Sequence, residues 1–537
     1  MILTSTLKRA AASAHRLRAA LPRFAPACLP ARLPAALAGG VAMAALSACA
    51  TVPVLAPAPA LRDPASLGIA ATMGAHDGAF PVDQWWVAMG DPALNALMDR
   101  ALAQSPNLAA AAARLMAAQA QLALANGADG PTIIVDGSIS GARQSQNQGF
   151  PPGLIPGTVR SQGRVGGSIS FDPDIWGRNR AALAAATSDA SAGAVDAAQA
   201  RLMLTAAIGS AYADLAGLWR EHDVASEMLT NAQQALVLAQ RRQRAGLDNA
   251  STTQAAAARV AEGQGAVAAV DQAIALTCNA LAALAGDGPD RGAALARPIL
   301  PPGAELALPV DLPMNLIGRR PDIVSARLRA QAAAARMGVA RADYFPSINL
   351  SATGGLQAIG LVDLVQPGSI FASFGPAVRL PLFAQNTLDA RYQSARAGYD
   401  LAVANYNDTL VAAVRDVADA VARKRANSAQ TSAAQRALAA TQAAQDVADL
   451  RFRHGLISAV QRLSAQQARL VAQHNLVVLQ RDGARADIAI IRSLGGGFAD
   501  GAAQLPPSAP GATTTNASSS PSTGAPAAST KAHSFHD

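Results

Sequence analysis

Aromatic residues make up only 4% of this 537-residue chain, although half of it is hydrophobic. Large globular cores are built on aromatic and branched aliphatic side chains, so the shortage argues against one. Alanine supplies much of the apolar content instead, which favours long helices packed closely side by side. No run of 18 or more apolar residues follows the N-terminal region, so no membrane-spanning helix is predicted. The seven histidines are scattered, and neither a G-x-S-x-G elbow nor a P-loop occurs, so no catalytic set is visible. His533 and His536 have metal-like spacing but no further ligands near them, and neither a metal nor a cofactor is expected.

Acidic residues are missing from positions 1–48, which hold Lys8, Arg9, Arg16, Arg18, Arg23 and Arg32. Of the formal charge of +8, only +2 remains for the rest, so the high pI does not point to nucleic acid. The basic start, the apolar run from Leu33 to Leu46 and then Leu46-Ser47-Ala48-Cys49 resemble the signal and lipobox of bacterial lipoproteins. That resemblance implies removal of residues 1–48, a covalent lipid on Cys49, and, with Ala50 following, delivery to the outer membrane. Cys28 would be lost with the signal. Cys278 is then the one remaining thiol, a small apolar packing residue on a helix, and no disulfide framework is possible.

The remaining chain reads as segments 49–90 (a Pro- and Ala-rich lead-in), 91–286, 287–312 (a Pro/Gly linker), 313–498, and 499–537 (a disordered tail of Ala, Pro, Ser, Thr and Gly). Segment 91–286 opens with a helix from Asp91-Pro92 to about Asn126. Strands follow at about 131–140 and 165–174, then a helix from Arg178 to Gln243 in which Gly193, Gly209 and Gly217 warn of bends. After a turn at Gly246 another helix runs to Ala285. Segment 313–498 repeats this order: a helix from Pro321, strands at about 346–355 and 371–381, a long helix, a turn at Gly455 and a last helix. In that last stretch Leu456, Leu463, Leu470, Val477, Ala484 and Ile491 recur every seven residues, which is coiled-coil spacing. Pro131 and Pro346, Asp214 and Asp419, and Gly246 and Gly455 are matched landmarks of one duplicated unit.

Four strands cannot close a barrel, and an open sheet edge in lipid leaves backbone groups unpaired at a cost of several kcal/mol each. If these strands enter an outer membrane, copies of the chain must associate. The other reading of the residues is two hairpins in a periplasmic domain, and the weak alternation alone leaves both open.

Several motifs carry a family resemblance from Trp85 to Phe498. They are Trp85-Trp86; the run Phe171-Asp172-Pro173-Asp174-Ile175-Trp176-Gly177-Arg178; and Leu312 through Arg319-Arg320-Pro321-Asp322-Ile323. Gly338-Val339-Ala340-Arg341-Ala342, Phe345-Pro346-Ser347 and Leu494-Gly495-Gly496-Gly497-Phe498 complete the set. The chain resembles the TolC-like outer membrane factors, in particular the NodT-type lipoproteins paired with resistance-nodulation-division pumps. The resemblance implies a mainly α fold with a small β part, and a homotrimer whose twelve strands close an outer-membrane β-barrel continued by a periplasmic α-helical barrel. The linker, the N-terminal segment and the residues near Gly495 would form an equatorial belt. It implies a non-enzymatic efflux channel anchored in outer membrane lipid. Its partners would be a periplasmic adaptor (a membrane fusion protein) and an inner-membrane resistance-nodulation-division pump.

By the same resemblance, Arg244, Gly246 and Leu247, and Arg453, Gly455 and Leu456, are the tips where an adaptor docks. Arg451, Val460, Ser464 and Gln467 match the periplasmic aperture. The family often places charges at the positions of Ser464 and Gln467, so here Val460 packing and neutral hydrogen bonds are expected to hold the aperture. Asp172, Asp174 and Arg178 sit at a strand-to-helix junction, where capping is the expected role. A duct for protein secretion and a lipid-anchored structural coiled coil are the alternative functions.

Overall fold

The computed structural model describes residues 51–68, 80–143, 145, 158–299 and 318–499. Cys28, Cys49, the rest of the 1–48 segment, residues 300–312 of the linker, Leu312–Ile317 of the motif quoted above, and the tail from residue 500 with His533 and His536 lie outside the described residues.

The first half runs α1 (Pro92–Gln104), α2 (Pro106–Gly127), β1 (Thr132–Ala142), β2 (Arg160–Phe171), α3 (Arg178–Arg244) and α4 (Ala250–Ala285), followed by the short α5 (Pro289–Ala293). The second half runs α6 (Pro321–Ala342), β3 (Ser347–Ile359), β4 (Ile370–Arg379), α7 (Gln385–Arg453) and α8 (Ala459–Ser493). The chain is thus mainly helical with a small sheet, and both halves contain the order helix-strand-strand-helix-helix, the first with α1 ahead of it and α5 behind it. The expected single helix from Asp91 is two. Proline removes an amide donor and drives the preceding residue out of the helical region, and Ser105 is extended ahead of Pro106. The strands are longer than, or shifted from, their expected spans.

α3 shows no break. At about 1.5 Å per residue its 67 residues make a rod roughly 100 Å long. Two of its glycines are points of close approach. A Cβ on Gly209 would lie 2.5 Å from the ring of Trp85, and one on Gly217 would lie 2.6 Å from Cγ of Arg481. A Cβ on Gly193 would meet Ala118 at 3.5 Å. Trp85 and Trp86 are buried with Leu94, Met98, Ile208 and Leu215 in the main hydrophobic core, which also includes Cys278 and Ile488.

The short helices abut end to end where the belt is expected. The C-terminus of α4 meets the α1–α2 joint: a Cβ on Gly286 would sit 2.8 Å from the carbonyl oxygen of Gln104. α8 likewise ends against the start of α6. There Gly495 and Gly497, both at positive φ, press on the backbone of Arg319 and of Val82-Asp83. Arg320 is buried at this joint. Its Nε and Nη2 donate to Asp322 (3.1 and 2.6 Å), and its Nη1 donates to the carbonyls of Ser493 (3.1 Å) and Ala413 (3.4 Å). Asp91 caps α1 and also accepts from the Tyr212 hydroxyl at 2.8 Å and the Ile299 amide at 2.9 Å. Burial would push the Asp91 carboxyl up, but these donors together hold it below the usual value.

The lead-in is an extended strap along α7. Gln385 donates to the carbonyl of Thr51 (2.9 Å), and Arg396 donates to those of Ala56 and Pro57 (2.8 Å each). The amide of Arg62 donates to Asn407 (2.8 Å), and Leu67 packs against the buried cluster of Ile323, Tyr406 and Leu410. Thr51 therefore lies at the start of α7, beside the base of the sheet.

Among the described residues, three helices, α2, α3 and α4, are long and apolar enough to cross a membrane by length and composition. None of them is an unbroken apolar run; alanine keeps the mean hydropathy high across polar interruptions. α3 is more than three times longer than a bilayer core of about 30 Å.

Candidate functional site

The four strands form one antiparallel sheet in the order β1-β2-β3-β4. Register decides its chemistry, because side chains alternate faces and directly paired residues share one. Ile133 pairs with Ile169, Gly137 with Val165, Phe171 with Leu350, Ala352 with Phe374, and Leu356 with Ile370. One face is therefore apolar across all four strands. The opposite face carries Asp136, Ser138, Ser140, Gln162, Arg164, Ser168, Ser170, Asn349, Ser351, Thr353 and Ser373. Its side chains bond across strands: Ser170 to Asn349 (3.0 Å) and Thr353 to Ser373 (2.7 Å), while Arg164 lies over the Phe371 ring at 4.8 Å. The apolar face is left open, with Phe374 91% exposed. The outer edges of β1 and β4 have no partner strand among the described residues.

The junction below the sheet is braced. Asp174, at φ 47°, accepts from the amides of Asn179 and Arg180 (2.9 Å each) and so caps α3, as expected for this run. Arg178 instead pairs with Asp343 (2.8 Å). The Trp176 indole donates to the carbonyl of Pro346 (2.8 Å) and its ring stacks on Phe345 at 4.6 Å. The two motifs thus hold the two halves together.

At the far end of the rods the two turns have the same geometry. Gly246 and Gly455 are left-handed, at φ 72° and 71°. The Leu247 amide donates to the carbonyl of Arg242, and the Leu456 amide to that of Arg451, each at 2.9 Å. These are Schellman motifs, in which the residue after the glycine normally packs on an apolar side chain one turn back. Here that position is an arginine in both turns, and the leucines remain 68% and 72% exposed. Arg244, Arg453 and Arg451 are exposed around them. Asn249 caps α4, and Ser458 with Gln461 forms a capping box for α8.

Of the residues matched to an aperture, Val460, Ser464 and Gln467 stand on α8 and Arg451 on α7. Val460 is half exposed and Ser464 is exposed. Gln467 accepts from the buried Asn231 on α3 at 3.0 Å, which ties α8 to α3. Sequence reasoning missed that seam. It continues with Arg469, which donates to Gln445 on α7 (2.7 Å) and Glu227 on α3 (3.2 Å), then Arg481 with Glu221 (2.5 Å) and Arg485 with Asp214 (3.2 Å). Arg469, beside the heptad Leu470, was its sequence signal.

The family model described as outer membrane efflux protein matches residues 97–287 and 312–496. The multidrug resistance outer membrane protein MdtP of Escherichia coli K12 is 29% identical over 446 residues, covering 82% of this chain and 91% of that protein. The fusaric acid resistance protein FusA of Burkholderia cepacia is 33% identical over 337 residues, covering 62% of this chain and 63% of its own length. Among solved structures, the outer membrane protein VceC of Vibrio cholerae superposes with a TM-score of 0.72 at 34% identity, covering 78% of this chain and all of that one. The outer-membrane channel OprN gives a TM-score of 0.73 at 27% identity, covering 84% and 99%.

Proposed function

The chain belongs to the outer membrane efflux protein family, and from that premise we propose that it is the outer membrane conduit of a tripartite efflux system. The observation that carries this is the two-faced sheet. Its strands hold 10 to 13 residues. At about 3.3 Å per residue and a tilt near 45°, such strands cover roughly the 25 Å of an outer-membrane barrel wall. The apolar face meets lipid and the polar face lines water. The open edges of β1 and β4 are the surfaces on which copies join, and three chains supply twelve strands. The helices continue the wall into the periplasm. The protein works by shape and not by chemistry.

Lipid on Cys49 fits this arrangement, since Thr51, two residues on, lies at the base of the sheet. The exposed leucines of the two tips are the contacts for the hairpins of a periplasmic adaptor, which links the conduit to an inner-membrane resistance-nodulation-division pump. Docking there opens the aperture around Val460 and Ser464, and the Asn231–Gln467 contact is among those that must part. Native mass spectrometry of protein extracted from outer membranes in mild detergent is expected to give a trimer starting at acylated Cys49. An unlipidated monomer that forms no channel in planar bilayers overturns the reading.

The tips give a separate expectation. Leu247→Asp with Leu456→Asp should abolish complementation of drug efflux while trimer yield and bilayer conductance stay unchanged. Both side chains are exposed and neither caps a helix, so stability should move by no more than about 0.5 kcal/mol. Full complementation by the double variant excludes the tips as the docking contact.

A further inference from the structure

We propose that the β3–β4 loop, residues 360–369, is a lipid-contact site that extends the apolar wall into the hydrocarbon of the outer leaflet. The inference rests on the reading of the sheet as a membrane wall. It starts from Gly163 on β2, which pairs with Ile139 and Ala358 and so lies on the apolar face. A Cβ on Gly163 would meet Leu361 at 3.1 Å and Leu364 at 3.2 Å. The loop therefore folds back over the outward face of the sheet and not over the polar face that carries Gln162 and Arg164. On the other hairpin, Val159 lies over Gly141 on that same outward face, at 3.4 Å from the position of a Cβ.

The loop is built to hold this posture. The Gly360 amide donates to the carbonyl of Ser161 (2.7 Å). The polar side chains bond within the loop: Gln366 donates to the Asp363 carboxylate (2.8 Å), and Ser369 donates to the Asp363 carbonyl (2.6 Å). With its polar side chains bonded within the loop, the loop presents Val362 and Val365 outward, 86% and 82% exposed. Polar satisfaction with an outward apolar edge suits the boundary between headgroups and acyl chains. A second copy of the chain is not the occupant. Copies join at the edges of β1 and β4, whereas the covered site is on β2, one of the two central strands. The partner is therefore acyl chain, contacted beside an apolar surface that already faces lipid.

The test uses full-length protein in bilayers carrying nitroxide-labelled lipid, with a fluorophore on Val365→Cys, Val362→Cys, Phe374→Cys or Ser373→Cys. Cys278 is buried and serves as the unlabelled background. The labels at Val365 and Val362 are expected to be quenched by a shallow acyl-chain nitroxide at least about half as strongly as the label at Phe374, as befits a boundary position. The Ser373 label should instead be quenched by aqueous iodide. If Phe374→Cys is quenched by lipid while both loop labels follow Ser373→Cys, the loop inference falls and the wall stands. If Phe374→Cys also escapes lipid quenching, the wall reading itself fails and takes the loop with it.

Discussion

Arg320→Ala should weaken the fold by about 3–5 kcal/mol, the usual cost of removing one partner of a buried ion pair. The side chain lies where the start of α6, the middle of α7 and the end of α8 meet. Two of its nitrogens grip Asp322, and a third satisfies the carbonyls of Ser493 and Ala413. Alanine would leave the Asp322 carboxylate with the Ile323 amide alone and strip the guanidinium from the Ser493 and Ala413 carbonyls, inside a joint already crowded by Gly495. A planar fork is needed to reach both Asp322 oxygens and the carbonyls at once, so Arg320→Lys should recover only part of the loss. Denaturant midpoints, with hydrogen exchange at the amides of Ile323 and Val324, would measure this. A midpoint shift worth less than about 1 kcal/mol would mean that water or a neighbouring group replaces the guanidinium.

Phe374→Arg and Ser373→Arg should separate sharply although the positions are adjacent. Phe374 is midway along β4 on the apolar face, and an arginine facing lipid at mid-bilayer costs about 2–4 kcal/mol. Each copy in a trimer would carry that cost, so assembled protein should become scarce and heat-labile. Ser373 faces the polar side and loses only its contact with Thr353, worth about 1 kcal/mol or less. Its arginine variant should assemble normally and change the ion selectivity of the conductance. Heat-resistance of the assembled species on unheated gels and single-channel recording measure the two outcomes. Equal assembly of both variants would mean that the two faces do not meet different solvents.

Helix type and position were largely legible, because a heptad repeat and the scarcity of strand formers act locally along the chain. The glycine turns at Gly246 and Gly455 were legible for the same reason: a left-handed cap is a local event. The break at Ser105 was missed although Pro106 signals it, since proline also fits the first turn of a continuing pattern. The roles of Gly209 and Gly217 were not legible, because they depend on what lies opposite. Trp85 and Arg481 are more than a hundred residues from them in sequence. The polarity of the sheet was half legible. Ile133, Val135 and Ile139 mark one face of β1, but only the register through β2 to β4 assembles the full wall. Gln467 was singled out only by its match to a family position, and its tie to Asn231 required the packing of α8 on α3.

The strap along α7 is held mainly by main-chain oxygens, since Gln385 and Arg396 bond to the carbonyls of Thr51, Ala56 and Pro57. Such contacts are blind to side-chain identity. Prolines at 53, 57 and 59 keep the backbone extended and lower the entropy of its free state. The segment therefore behaves as a ruler. Apart from those prolines its wording from 51 to 60 is free to drift, but its length is not, because a single deletion moves residue 51 by about 3.3 Å along the rod. The distance along α7 from Leu67 to Thr51 is thus encoded in a count of residues.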